Sequence, residues 1–388
     1  MLPVAHNTGE TVGRTSARKI SYVMTLSFPL RCRTAFPLGA RQLVLVFLTV
    51  ALMPSFASAQ DREQPVQGRW AIALHGGAGK RSRDMSPEAR ERLNGALRDA
   101  LTSGKEILSK GGSSLDAVEA VVIMLEDDPQ FNAGRGAVFT RAGEHELDAS
   151  IMDGATLRCG AVAGVKYQKN PIKAARLVME RTPHILLAGG EADVFSRENG
   201  LEQVEQSYFY TPQRFQDLQD ALKKLNLEKL KVPAYPISSE PQSPPEPQAE
   251  GGAGTVGCVA LDMQGNLAAA TSTGGLSGKM PGRIGDTPVI GAGNYANNES
   301  CAVSGTGIGE QFIRHSISAK VAWLVAEREM SLDDAMRHCL HEVLQPGDGG
   351  IIAVDRQGHI SLKATTDSMP RGAADSTGRF ETAIWMDR

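Results

Sequence analysis

Between Val232 and Gly254 the chain reads VPAYPISSEPQSPPEPQAEGGAG, and this stretch limits what the rest can become. It holds six of the chain's 20 prolines (Pro233, Pro236, Pro241, Pro244, Pro245, Pro247) and almost no apolar run. Proline lacks the N–H that helices and sheets require. A segment with so little to bury does not offset the entropy of ordering, so it reads as an extended or disordered linker. Order resumes abruptly behind it. Thr255 to Leu261 (TVGCVAL) is strand-like, a turn lies within Met263 to Asn266, and Leu267 to Thr273 (LAAATST) is a second strand. Two such runs around a Gly/Asn turn form a β-hairpin. If the turn is three residues centred on Gln264, Thr255 faces Thr273 with Cα atoms about 4.5–5.5 Å apart. A two-residue turn would shift that pairing.

The 388 residues carry a net charge of −3, which excludes a generally basic nucleic-acid binder. The N-terminal 59 residues differ from the rest. Leu43 to Met53 (LVLVFLTVALM) carries no charge, Arg31, Arg33 and Arg41 precede it, and Phe56-Ala57-Ser58-Ala59 follows with small residues at the cleavage-site positions. That order is a secretory signal cut after Ala59, with Met24 as a possible start. The run is too short for a transmembrane helix, which needs about 20 residues. Removing it takes six basic side chains and one acidic one, so the mature chain is acidic, periplasmic or secreted, and no longer membrane-associated. The expected organisation is a signal peptide over 1–59, a first segment over 60–254 ending in the linker 232–254, and a second segment over 255–388.

Within the first segment, Arg69 to Leu74 reads as a strand and His75-Gly76-Gly77-Ala78-Gly79 as a glycine loop. Helices are expected over Pro87–Ser109, over Leu115–Leu125 behind a Ser113/Asp116 cap, and over Pro171–Glu180 with Asn170 as N-cap. Within the second, Ile351 to Leu362 repeats the hairpin pattern. Glu310–Glu327 and Leu332–Val343 read as helices, the latter capped by Ser331 with Asp334. Hairpins and paired helices imply an α+β fold with helices on the outer faces of stacked sheets. Cys32, Cys159, Cys258, Cys301 and Cys339 form no CxxC pair and read as small buried hydrophobes.

Gly254-Thr255 carries the chemistry. A threonine hydroxyl is a weak nucleophile that needs a base. Cutting the bond before Thr255 gives that residue a free α-amino group, titrating near pH ~8, and so a base of its own. Thr273 would set a second hydroxyl beside the first. Gly282-Arg283-Ile284-Gly285-Asp286 then offers a guanidinium for an α-carboxylate and a carboxylate for an α-ammonium. Ser304 to Glu310 (SGTGIGE) opens a helix with backbone N–H groups suited to an oxyanion.

These motifs, with Leu74 to Gly79, Phe131-Asn132-Ala133-Gly134-x-Gly136, His145 to Ala149 and Met152-Asp153-Gly154, resemble the plant-type asparaginase / isoaspartyl peptidase family of N-terminal nucleophile hydrolases. The resemblance spans about residues 69–388 apart from the linker. It implies a four-layer αββα sandwich made as a precursor that cuts itself between Gly254 and Thr255, giving α and β subunits that assemble as a dimer of αβ heterodimers. It implies hydrolysis of L-asparagine and β-aspartyl dipeptides to L-aspartate, with no cofactor for catalysis. By the same carry-over Thr255 is the nucleophile and Thr273 its hydrogen-bond partner. Arg283 and Asp286 hold the substrate's carboxylate and amine. Thr306 and the Gly307 N–H form the oxyanion hole, with Gly309 in the same pocket, and Asn132 supports the nucleophile. A structural Na⁺ would sit on the backbone carbonyls of Leu125, Glu126, Phe131 and Ala133. Asp128 and Arg135 carry charge where that loop commonly has none. Ile308 replaces a frequent polar residue, and Asn294 a small one or cysteine.

The alternatives are a glycosylasparaginase-like amidase, against which Gly274 stands in place of asparagine, and an unprocessed extracytoplasmic amino-acid-binding protein. The glycine runs before Lys80 and Lys279 do not match GxxxxGK[ST]. His338 and His341, three apart on a helix, lack a third metal ligand.

Overall fold

The computed structural model describes residues 68–231, 233–236 and 254–387. The signal-peptide expectation over 1–59 lies outside them, as does most of the linker. The remainder is α+β. Its first half runs β1 (Ala71–His75), α1 (Pro87–Ser109), α2 (Ser114–Asp127), a short 3₁₀ turn at Gly134–Gly136, β2 (Leu147–Asp153), β3 (Cys159–Val165), α3 (Pro171–Arg181), β4 (Leu186–Ala188), α4 (Gly189–Glu198) and α5 (Pro212–Lys224). Its second half runs β5 (Val256–Leu261), β6 (Leu267–Thr273), β7 (Asn294–Ala296), β8 (Cys301–Gly307), α6 (Gly309–His315), α7 (Ile317–Arg328), α8 (Leu332–His338), β9 (Gly349–Asp355), β10 (Ile360–Ala364), β11 (Ser368–Asp375) and β12 (Phe380–Trp385).

Eight strands form one sheet in the order β12-β11-β1-β5-β6-β2-β3-β4, and four form another, β10-β9-β8-β7. The larger sheet interleaves strands from both sides of the linker: β1 lies between β11 and β5, and β6 pairs with β2. Neither segment holds this sheet alone. Period-two alternation sends Ile72, Leu74, Cys258 and Ala260 toward α1, α2 and α3. It sends Ala71, Ala73, Val259 and Ala269 toward Ala302, Ile352 and Val354 of the smaller sheet. That inter-sheet contact is rich in alanine. The other face of the smaller sheet, with Val303, Ile351 and Ala353, packs on Ile317, Val321, Leu332 and Met336 of α7 and α8.

Several helix ends follow their sequence signals. Ser113 and Ser331 accept from Asp116 N and Asp334 N as caps. Three expectations need correction. The helix read over 310–327 is two helices, because Ser316 adopts a left-handed conformation (φ 49°) and ends α6. The helix read to Val343 stops at His338 and continues as one widened turn over Cys339–Val343. Asn170 precedes α3 without capping it, since its side chain donates to Asp127 Oδ1 at 3.0 Å. The four described cysteines are free and buried.

Candidate active site

The hairpin register decides the centre of the site. Val256 pairs with Ser272, Gly257 with Thr271 and Leu261 with Leu267, the pairing that a three-residue turn on Gln264 gives. Asp262 N donates to Asn266 O across that turn at 2.9 Å. Extended by one step, the ladder sets Thr255 opposite Thr273, and Thr255 Oγ1 donates to Thr273 Oγ1 at 3.1 Å. Both residues are buried.

Thr273 is itself held. Its hydroxyl oxygen accepts from Gly275 N at 2.9 Å. Asn132 Nδ2 donates to Gly275 O at 2.7 Å, the Asn132 carbonyl accepts from Gly274 N, and Asn132 Oδ1 accepts from Val138 N. Asn132 therefore pins the chain as it leaves β6. Beneath Thr255, His75 Nε2 and Thr271 Oγ1 both meet Ser304 Oγ, at 2.9 and 2.8 Å, which ties the two sheets together by hydrogen bonds. Burial pulls the His75 imidazole down to about 3, so it stays neutral.

The charged side of the site lies on the irregular chain after β6. Arg283 donates through Nε and Nη2 to both oxygens of Glu310, at 2.9 and 2.8 Å, a forked pair that fixes the guanidinium plane. Those bonds hold the Glu310 carboxyl below its ordinary range. Asp286 is 4% exposed, and its Oδ2 is buried without a hydrogen-bond partner. Burial pushes its carboxyl up to about 7, against the opposing pull of its own backbone N–H and of Arg283. A side-chain carbon placed on Gly309 would lie 2.7 Å from Asp286 Oδ1 and 3.0 Å from Arg283 Nη2, so glycine there leaves both groups room. Behind them lies Lys279, 5% exposed, whose ammonium donates to Glu146 O at 2.8 Å.

A small cleft gathers Thr255, Thr273, Arg283, Asp286 and Gly307 with Gly254, and adds Gly275 and Leu276, which the motifs did not assign. Asn132, Thr306 and Gly309 are not among its lining residues. Thr306 is fully buried on β8, and its hydroxyl oxygen accepts from Ala78 N at 3.1 Å, leaving its own hydrogen to donate. Gly254 packs on the glycine loop after β1. A side-chain carbon on Gly254 would come within 2.7 Å of Gly77 Cα, and one on Gly77 within 2.2 Å of Gly254 Cα. Such approach of two backbones admits only glycine.

The carbonyls of Leu125 and Glu126 end α2, and those of Phe131 and Ala133 lie on the loop that follows. A side-chain carbon on Gly134 would be 2.4 Å from the Glu126 carbonyl oxygen, and one on Gly136 2.1 Å from that of Phe131. The Glu126 and Phe131 carbonyl oxygens thus lie against the glycines of one turn, while the Ala133 carbonyl accepts from Gly136 N at 3.2 Å. The Glu126 side chain is used elsewhere, accepting from Ser272 Oγ at 2.6 Å and Ile172 N at 3.0 Å. Among the described residues no group of three His, Cys, Asp or Glu side chains gathers as for a metal. His338 bonds Glu342.

Two contributors were missed in the sequence. Glu310 closes the run that opens α6, and its pairing with Arg283, 27 positions away in the chain, leaves no local signal in the sequence. Lys279, in the glycine run that does not match a phosphate loop, instead donates to the Glu146 carbonyl.

A sequence model of the family described as "Asparaginase" matches residues 68–384. The chain is 45% identical over 324 residues to the isoaspartyl peptidase of Escherichia coli (strain K12), covering 83% of this chain and 98% of that one. It is 43% identical over 315 residues to the isoaspartyl peptidase/L-asparaginase of Bos taurus (81% and 95%). It is 41% identical over 326 residues to the probable isoaspartyl peptidase/L-asparaginase 2 of Arabidopsis thaliana (82% and 99%).

Proposed function

The chain belongs to the asparaginase family, and from that premise we propose that it hydrolyses β-aspartyl dipeptides and L-asparagine through Thr255, after cutting itself before that residue. The observation that carries this reading is the Thr255–Thr273 hydroxyl pair at 3.1 Å in a cleft shared with Arg283 and Asp286. In maturation, Thr255 Oγ attacks the Gly254 carbonyl carbon, the acyl group shifts from nitrogen to oxygen, and water cleaves the resulting ester. The products are a Gly254 carboxylate and a free Thr255 amine. Gly77 seats the scissile residue by backbone contact.

In turnover, the neutral amine takes the proton from Oγ as Oγ attacks the substrate's side-chain carbonyl carbon. Thr273 orients the attacking oxygen, itself held by Gly275 N and, one step further back, by Asn132. Arg283 grips the α-carboxylate through the face that Glu310 leaves free, and Asp286 takes the α-ammonium. The Thr306 hydroxyl and the Gly307 N–H stabilise the oxyanion, with Gly309 giving the substrate amine room beside Asp286. The leaving ammonia or amino acid departs with the proton from the Thr255 amine. Water then cleaves the β-aspartyl ester, and L-aspartate is released. No cofactor takes part in these steps.

The three apolar clusters support reading the fold as a four-layer αββα sandwich. The interleaved large sheet supports α and β subunits, 60–254 and 255–388, that stay together after cutting. A Na⁺ on the carbonyls of Leu125, Glu126, Phe131 and Ala133 would brace the loop that carries Asn132. The N-terminal sequence supports export to the periplasm or medium, and the family resemblance a dimer of αβ units.

Replacing Thr255 with alanine is the test. Wild-type protein gives two bands on a denaturing gel and releases aspartate from L-asparagine. The Thr255→Ala protein gives one uncut band and no turnover; a cut or active variant refutes the nucleophile.

A further inference from the structure

The chain turns sharply just before Arg283. Pro281 and Gly282 fill the second and third places of a four-residue turn, Gly282 has φ 80°, and Arg283 N donates to Met280 O at 3.0 Å. That is the pattern of a type II turn, which favours proline and then glycine. Pro281 has no N–H and Arg283 N is used, so Gly282 N is the amide that the turn leaves free. It donates to Glu146 Oε2 at 2.7 Å. The backbone carbonyl of the same Glu146 accepts from Lys279 Nζ at 2.8 Å. One buried residue of the first segment thus holds the Lys279–Gly282 stretch of the second at both ends. Two positions further on, Asp148 of β2 pairs with Thr273 of β6. Lys166 Nζ lies 3.9 Å from Glu146 Oε1 but 2.6 Å from Glu144 Oε2, so the lysine charge is met without Glu146.

We propose that Glu146 is a positioning residue that sets Arg283 for the substrate's α-carboxylate, acting through its hydrogen bond to the Gly282 amide and not through its charge. This rests on the hydrolytic reading above and adds a residue to it. Glu310 fixes the plane of the guanidinium at its far end, and Glu146 fixes the backbone from which that side chain springs. The grip on the α-carboxylate persists from bound substrate to transition state, so loosening it weakens binding and spares the chemical step. Self-cutting uses Thr255 and the Gly254 carbonyl, has no α-carboxylate to hold, and serves as the internal control.

The experiment compares the wild type with Glu146→Gln, Glu146→Asp and Glu146→Ala. Glutamine keeps the length and an acceptor oxygen without the charge, whereas aspartate keeps the charge and falls one methylene short. Glu146→Gln is expected to hold KM for L-asparagine within about threefold of wild type. Glu146→Asp and Glu146→Ala are expected to raise KM about tenfold, with kcat within about twofold, and to weaken L-aspartate binding in calorimetry by the same factor. Self-cutting, timed on a denaturing gel, keeps its wild-type rate in all three. If the alanine protein does not fold, the glutamine and aspartate variants decide alone. A glutamine variant as impaired as the aspartate one overturns the proposal, as does an aspartate variant with normal KM. Parallel loss of kcat and self-cutting also overturns it, since Glu146 would then merely support the fold. Wild-type protein that binds L-aspartate but does not turn over L-asparagine overturns the hydrolytic reading alone, and the affinities for L-aspartate then decide the role of Glu146.

Discussion

The two walls of the cleft are positioned by different means. Thr255 and Thr273 extend a β-ladder whose register places their hydroxyls 3.1 Å apart, and a further hydrogen bond from Gly275 N holds Thr273. Arg283 and Asp286 stand on irregular chain and are held by charge: Glu310 forks the arginine, and Asp286 is buried with one oxygen unpartnered. A ladder fixes neutral groups without electrostatic cost, whereas buried charge demands a counter-charge. The hydroxyls of the reacting wall are thus in place before substrate arrives. On the proposed reading, the recognising wall is finished by the substrate's own ammonium.

The sharpest way to break this contrast is at Thr273. Thr273→Val keeps the volume and the strand but removes the hydroxyl that orients Oγ. It is expected to lower kcat by roughly 10²–10³, with KM changed only a few-fold, since the loss falls on the transition state. Self-cutting should slow in parallel, as read on a gel over time. A valine variant with wild-type kcat would reduce the pair to a strand contact.

The same contrast explains what was legible in the sequence. Strand pairing obeys arithmetic, so a turn centred on Gln264 placed Thr255 against Thr273 without any structure. Loop charges obey chemistry but not periodicity: Arg283 and Asp286 stood out by type, while Glu310 lay hidden because its partner is 27 positions away in the chain. The interleaving of β1 between β11 and β5 left no local trace, since adjacency in a sheet depends on the whole topology. The break at Ser316 was invisible for a related reason. Its left-handed backbone is unusual for serine, and no glycine or proline announced it.

On the charged wall, Arg283→Lys is expected to raise KM by about 30-fold and to leave kcat nearly unchanged. Lysine keeps the charge but loses the planar fork that Glu310 orients. Isothermal titration of L-aspartate should show the same loss in affinity. A lysine variant with normal KM would show that charge alone, without orientation, suffices on this side.

Asp286 gives the smallest effects and separates the walls most cleanly. Its carboxyl lies near 7 in the empty site because burial penalises the anion. Only the anion pairs with an ammonium, so kcat/KM should fall about tenfold per pH unit below 7. Asp286→Asn removes that limb, at the cost of weaker substrate binding at every pH, and keeps any limb near pH 8 that belongs to the Thr255 amine. The same shift acts on stability with a definite sign. A carboxyl raised in the folded protein destabilises it progressively as pH climbs from the unfolded value near ~4 to the folded value, and fully above that. Asp286→Asn should therefore raise the melting temperature by roughly 3–6 °C at pH 8 and by little at pH 4. Thr273→Val carries no titrating group and should shift melting equally at both pH values. An Asp286→Asn variant with no gain at pH 8 would mean that Arg283 already stabilises the Asp286 anion before substrate binds, and that the charged wall is as set in advance as the hydroxyl wall.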